Sequence, residues 1–270
     1  MPNCANCGRP LFSGDAGETH PLCPQCRQQI LGQSVPAEAP RAPSAKFPVT
    51  TALLSINVLM FVAMGLSGVS LTDPTVDQLV RWGADYGPLT LTTQPWRLLT
   101  STFVHGGLLH IGTNMWCLWN LGRMAENFFG RLSFLLIYLL TGISGSLLSV
   151  YLHPMRTSVG ASGAIFGLAG ALITALYLGR LPIPKQRLNE ALRSLIFFAV
   201  INLAIGAAVP VIDNSGHIGG FSLGLLIGAL LSPSLTKDPE SKAHTQRLVF
   251  SAVAVVLAIA VWFVRKAHGI

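Results

Sequence analysis

The sequence predicts an all-α polytopic membrane protein preceded by a small metal-binding module. Three observations carry this reading. Of 270 residues, 51% are hydrophobic and only 11% are charged, against roughly a quarter charged in soluble proteins. From about residue 49 onward, long apolar runs alternate with short polar segments. Ahead of them, a polar stretch carries two Cys-x-x-Cys pairs.

The first pair is Cys4 and Cys7, the second Cys23 and Cys26, with fifteen residues between them. Two such turns present four thiolates tetrahedrally, the pattern of a structural Zn2+ site. Disulfides are the competing pairing, and a reducing cytoplasm disfavours them. Residues 1–29 hold too few apolar side chains for a core, so the metal would supply most of the folding energy of this zinc-ribbon-like module. His20 is read as exposed, because four thiolates already fill the shell. Residues 30–46, with Pro36, Pro40 and Pro43, read as a Pro/Ala-rich tether.

Seven spans are expected, at about 49–68, 105–122, 132–152, 161–179, 192–209, 216–233 and 247–264. Each approaches the ~20 residues that cross a hydrocarbon core. The second and fourth contain Gly, Ser, His and Asn, which suits helices inside a bundle. With the N-terminus inside, the inner segments carry thirteen of the 18 Lys and Arg residues, from Arg9 to Arg247; Arg81, Arg97, Arg156, Arg265 and Lys266 lie outside. That bias predicts an N-in topology. The Arg265–Lys266 pair is its one discord, so the seventh span is the least secure. The opening residues lack an apolar signal region, which predicts a retained, cytoplasmic N-terminus. The net charge of +7 follows from the same inner-loop bias and does not call for nucleic acid.

Intramembrane polar residues are expensive and therefore candidates for function. Three clusters stand at the outer ends of their spans. On span two, His105 and His110 are five apart, about 140° around a helix, so they do not form a zinc-protease pair. His110 and Asn114 do share a face. At the start of span four stands Gly160-Ala-Ser162-Gly163. Ser162 has a plain reading as a helix N-cap, and a functional one as a nucleophile where free N–H groups favour an oxyanion. At the start of span six stands His217, with Gly216, Gly220, Gly224 and Gly228 at every fourth position. Gly163, Gly167 and Gly170 make a second smooth stripe on span four. Packing of these stripes would bring Ser162 and His217 together.

Trp96-Arg97, His105/His110/Asn114, Gly160-Ala-Ser162-Gly163 and His217-x-x-Gly220-x-x-x-Gly224 together make the chain resemble the rhomboid family of intramembrane serine proteases. The resemblance covers about residues 48–233. It implies a six-helix core at 47–235, with the loop and seventh helix at 236–270 as an addition. It also implies a Ser162–His217 dyad that needs no cofactor, and an oxyanion hole from His110, Asn114 and the Ser162 backbone N–H. Gly160, Gly163, Gly220 and Gly224 would support it. Span five and the Pro210–Ser215 segment would form a gate. One position departs from the family pattern: the residue four after the serine is usually Tyr and is Phe166 here, still able to stack on the histidine ring. Asp213 reads as the cap of span six rather than a third catalytic member.

The expected substrates are single-pass transmembrane proteins, cut near their outer ends in a bacterial-type inner membrane, with the site open to the outer side. A protein partner is expected for the N-terminal module. The alternative from another class is a rhomboid-like protein that binds membrane clients without cutting them; such relatives typically lack the Ser or the His, and both are present here.

Overall fold

The computed structural model describes residues 3–11, 22–33 and 46–269, which fall into two compact units, Met1–Lys46 and Phe47–Ile270. His20 and residues 34–45 of the expected tether lie outside the described residues. In the first unit, Cys4–Arg9 form a tight turn closed by Cys4 N–H on the Arg9 carbonyl at 2.8 Å. Helix α1 (Pro24–Gln33) starts immediately after Cys23 and runs past residue 29, the expected module boundary.

The second unit is all-α apart from one two-residue strand pair. Its long helices are α2 (Pro48–Leu66), α6 (Leu108–Phe129), α7 (Arg131–Leu152), α8 (Ser162–Leu178), α9 (Lys185–Ala208), α10 (Asn214–Leu231) and α11 (Pro239–Ala267). Short helices α3 (Val76–Arg81), α4 (Gly87–Thr90) and α5 (Arg97–Thr100) lie in the long loop between α2 and α6. Among the described residues, five helices are long and apolar enough to cross a membrane: α2, α7, α9, α10 and α11. Helix α8 is apolar but has 17 residues, and α6 carries the polar residues of the site. The protein is an all-α polytopic membrane protein.

Helix α8 sits at the centre, with Ala164 to Leu172 buried without interruption. It is built almost wholly from Gly, Ala, Leu and Ile, small enough to accept neighbours on every side. Against α10 the approach is backbone to backbone. A Cβ on Gly220, Gly224 or Gly228 would collide with the carbonyl oxygens of Gly163, Gly167 and Ala171 respectively. The two glycine stripes therefore meet one another. Helix α7 closes the same seam, where Gly145 faces the Gly216 carbonyl and Ser144 Oγ donates to the Gly219 carbonyl at 3.0 Å.

Three span boundaries differ from expectation. Helix α6 runs to Phe129, seven residues beyond 122, through Arg123 and Glu126, which read as loop residues. Glu126 is buried because its carboxylate takes the Val49 and Thr50 N–H groups at 3.1 and 2.8 Å and Thr50 Oγ at 2.7 Å. It thus caps the N-terminus of α2, whose first turn has no partners of its own. Helices α9 and α11 each begin seven or eight residues earlier than expected, through polar turns that read as loops. Asp238 caps α11 by accepting from Ser241 N–H at 2.9 Å. Of the basic pair expected outside, Arg265 donates to the Thr92 carbonyl of the long loop at 2.9 Å. The C-terminal end of α11 therefore lies at the same end as that loop.

The long loop is pinned by buried polar groups. Arg97 donates to the Val80 and Ala84 carbonyls at 2.6 and 2.8 Å and to Gln94 Oε1 at 2.7 Å, with Trp96 against its guanidinium. Asp85 begins strand β1 (Asp85–Tyr86), which pairs antiparallel with β2 (Thr157–Ser158). Its carboxyl is fully buried and accepts from Thr90 Oγ1 at 2.6 Å, while Oδ2 has no partner. Burial raises its pKa to about 7.

Two predictions follow from this packing. Gly224→Val is expected to destabilise the fold by about 1–3 kcal/mol through overpacking, read as a lowered thermal midpoint in detergent. Asp85 binds its proton more tightly folded than unfolded, so its contribution is fully present below about pH 4 and is lost as pH rises through about 7. The difference in thermal midpoint between wild type and Asp85→Asn, measured from pH 5 to 8, is expected to move against wild type as pH increases.

Candidate active site

The seam between α8 and α10 ends where both helices begin, and there Ser162 Oγ lies 2.9 Å from His217 Nε2. Ser162 is not the N-cap of α8: Ala161 holds that position, and no side chain caps the helix. The hydroxyl is therefore free for the imidazole, and the first N–H groups of α8 are free for a ligand. His217 is 7% exposed. Phe166, one turn below Ser162, stacks on its ring at 4.3 Å between centroids and 17° between planes. Phe198 of α9 packs against Phe166 at 5.5 Å between centroids.

His110 and Asn114 project from α6 onto the segment leading into Ser162. A Cβ on Gly160 would lie 2.6 Å from His110 Nε2 and 3.4 Å from Asn114 Nδ2. Gly160 also has φ +114°, a region open to glycine and strained for other residues. Only glycine fits here, for conformation and for space. The His110 tautomer follows from its other nitrogen. Gly106 N–H donates to Nδ1 at 3.3 Å, so Nδ1 has no proton and Nε2–H is a donor. That nitrogen lies beside Gly160, two residues before Ser162.

His105 does not join this face. It is fully buried in the turn before α6, within a long 3.5 Å contact from Ala161 N–H to Nε2, with Nδ1 3.3 Å from the Phe103 carbonyl. Its ring meets His110 edge-on at 5.2 Å. It props the chain between Phe103 and Ala161. The segment it props is also held by Gly160 N–H on the Ser101 carbonyl at 2.9 Å and by the β1–β2 pair.

Asp213 caps α10, accepting from Gly216 N–H at 3.2 Å and from Ser158 Oγ at 2.6 Å. The partner of His217 Nδ1 is instead Asn214 Oδ1 at 3.2 Å. Sequence reasoning passed over this residue. Its signal was the i, i+3 spacing to His217, which puts both side chains on one helix face.

In the N-terminal unit, Cys4, Cys7, Cys23 and Cys26 bring their four Sγ atoms within 4.8 Å of one another. A tetrahedral thiolate shell with metal–sulfur bonds of about 2.3 Å needs separations of about 3.8 Å, and Cys7 Sγ to Cys23 Sγ is 3.7 Å. The Cys23 N–H donates to Cys4 Sγ at 3.2 Å, and this bond lowers the Cys4 pKa to about 6 against the opposing effect of burial. The residues fit a metal ion.

The family model described as Rhomboid domain matches residues 92–234. Rhomboid protease GluP of Bacillus subtilis (strain 168) is 37% identical over 210 residues, covering 78% of this chain and 39% of that relative. RHOMBOID-like protein 6, mitochondrial, of Arabidopsis thaliana is 40% identical over 201 residues, 69% of this chain and 64% of the relative. Rhomboid-like protease 3 of Toxoplasma gondii is 30% identical over 193 residues, 69% of each. The chain thus spans less than two thirds of the length of the first two.

The cysteine geometry makes a direct prediction. Full-length protein is expected to retain a thiophilic metal ion through desalting, read by elemental analysis, and Cys4→Ser with Cys23→Ser to lose it.

Proposed function

The chain belongs to the rhomboid family, and from that membership we propose that it is an intramembrane serine endopeptidase acting on single-pass transmembrane proteins. The observation that carries the reading is the 2.9 Å contact between Ser162 Oγ and His217 Nε2, at a helix N-terminus with unpaired N–H groups. His217 Nε2 takes the Ser162 proton as Oγ attacks the scissile carbonyl carbon. The carbonyl electrons move onto oxygen. That oxyanion is held by the Ser162 N–H, His110 Nε2–H and the Asn114 amide. As the C–N bond breaks, the imidazolium gives its proton to the leaving amine, and Ser162 keeps the acyl group as an ester. Water, deprotonated by the same imidazole, then hydrolyses the ester and returns Ser162 to its starting state.

Phe166 supports the imidazole by ring contact alone, without a hydroxyl. At ~1.5 Å per residue, 17 residues give α8 a length of about 26 Å against a hydrocarbon core of about 30 Å. A helix this short leaves its first residue recessed below one surface, where a substrate helix must unwind to present a peptide bond. The charge bias of the loops supports an outward-opening site with a cytoplasmic N-terminus, in a bacterial-type inner membrane.

The metal at Cys4, Cys7, Cys23 and Cys26 is assigned as Zn2+, on the chemistry of four thiolates. When bound it supplies structure, and catalysis needs none of it. With this module and its few charges, Arg9 and Arg27 against Asp15 and Glu18, the partner assigned is a protein.

Purified protein in detergent is expected to cleave a model transmembrane substrate. Ser162→Ala and His217→Ala should abolish cleavage, and His110→Ala or Asn114→Ala should lower kcat by about 10²–10³-fold. Cleavage that persists in Ser162→Ala would end the assignment.

A further inference from the structure

We propose that Asn214 is a positioning residue that sets the reactive tautomer of His217 and ties that ring to α9. This inference rests on the Ser162–His217 reading above. Asn214 Nδ2 lies 3.0 Å from the Leu203 carbonyl of α9, and its Oδ1 lies 3.2 Å from His217 Nδ1. A backbone carbonyl only accepts, so the amide end facing α9 is the NH2 group. The oxygen end therefore faces the imidazole, and it too only accepts. His217 must then carry its proton on Nδ1, which leaves the Nε2 lone pair for the Ser162 hydroxyl.

The result is a run of hydrogen bonds with one direction. Ser162 donates to His217, His217 to Asn214, and Asn214 to Leu203, at 2.9, 3.2 and 3.0 Å. Bonds aligned in this way polarise one another. Asp213, the other polar neighbour, is committed to Gly216 N–H and Ser158.

A second observation is steric. Gly206, one turn beyond Leu203, is one of three buried residues on α9, with Leu195 and Ala199. A Cβ at Gly206 would collide with Asn214 Oδ1. The glycine is a notch that seats the amide against the helix. Elsewhere α9 is loosely held, with Leu195 and Ala199 its other buried residues and Phe198 resting on Phe166. When this turn of α9 moves outward, the NH2 group loses the acceptor that fixes its orientation. The amide can then rotate its NH2 toward Nδ1, which favours the tautomer unable to accept from Ser162. The base is fully armed only with this turn seated, so cleavage requires it in place once a substrate has entered.

The test is the rate at which a fluorophosphonate probe labels Ser162 in the full-length protein in detergent, with thermal unfolding followed in parallel. Asn214→Leu, similar in shape and without hydrogen-bonding groups, is expected to label at least about tenfold more slowly, the consequence of a misplaced tautomer. Asn214→Asp keeps an acceptor for Nδ1–H and should recover part of that loss. Gly206→Ala keeps every hydrogen-bonding group yet unseats the amide, so it should also slow labelling. Its effect should vanish in the Gly206→Ala/Asn214→Leu double variant, because both act through one contact.

Labelling of Asn214→Leu at the wild-type rate, an Asp variant no faster than Leu, or additive losses in the double variant would each overturn the proposal. If Asn214→Leu does not fold, Gly206→Ala decides alone, and wild-type labelling by that variant refutes the tether. A wild-type protein that takes no label at Ser162 sinks the hydrolase reading itself, a result separable from all of these.

Discussion

Between α8 and α10 no side chain intervenes along three successive turns, and the rest of the structure depends on that contact. Lipid tails are as apolar as leucine, so helices in a bilayer gain little from burying apolar side chains against each other. Close van der Waals contact between backbones supplies the association instead, and Gly220, Gly224 and Gly228 make it possible against the Gly163, Gly167 and Ala171 carbonyls. The same closeness sets the chemistry. Ser162 and His217 reach 2.9 Å from short side chains, a separation that a single methyl group in the seam would disturb.

Polar groups are costly in this setting, and most of the buried ones here hold a segment in place. Glu126 closes the open end of α2. Arg97 collects three acceptors and thereby folds the long loop. Strand β1 of that loop pairs with β2, four residues before Ser162, and His105 wedges under Ala161. The chain entering α8 is therefore held from several sides. Such a scaffold suits a site whose donors must already be aimed before charge develops.

Much of this was legible in the residues. The apolar runs, the two Cys-x-x-Cys pairs and the four-residue glycine spacing each report a physical necessity that acts locally, so they can be read without coordinates. The ends of α6, α9 and α11 were misplaced for one shared reason. Polar turns such as those holding Glu126 or Lys185 look like loops until a partner is visible, and the partner lies far away in sequence. Asp213 was weighed as a partner for His217 and read as the helix cap that it is, whereas Asn214 beside it was not weighed at all. Asp213 is engaged by Ser158, 55 residues distant in the chain, and nothing in the local sequence shows that.

The sequence by itself determined an all-α membrane protein with a cysteine-bound module, a family, and a short set of polar candidates, because composition, periodicity and motif spacing depend only on neighbours along the chain. Which candidates touch, which nitrogen of each histidine holds a proton, and what orients His217 were decided by tertiary structure alone. Those properties depend on how folding sets each ring against its neighbours, as when the Leu203 carbonyl of α9 orients the Asn214 amide, and no spacing rule encodes such contacts.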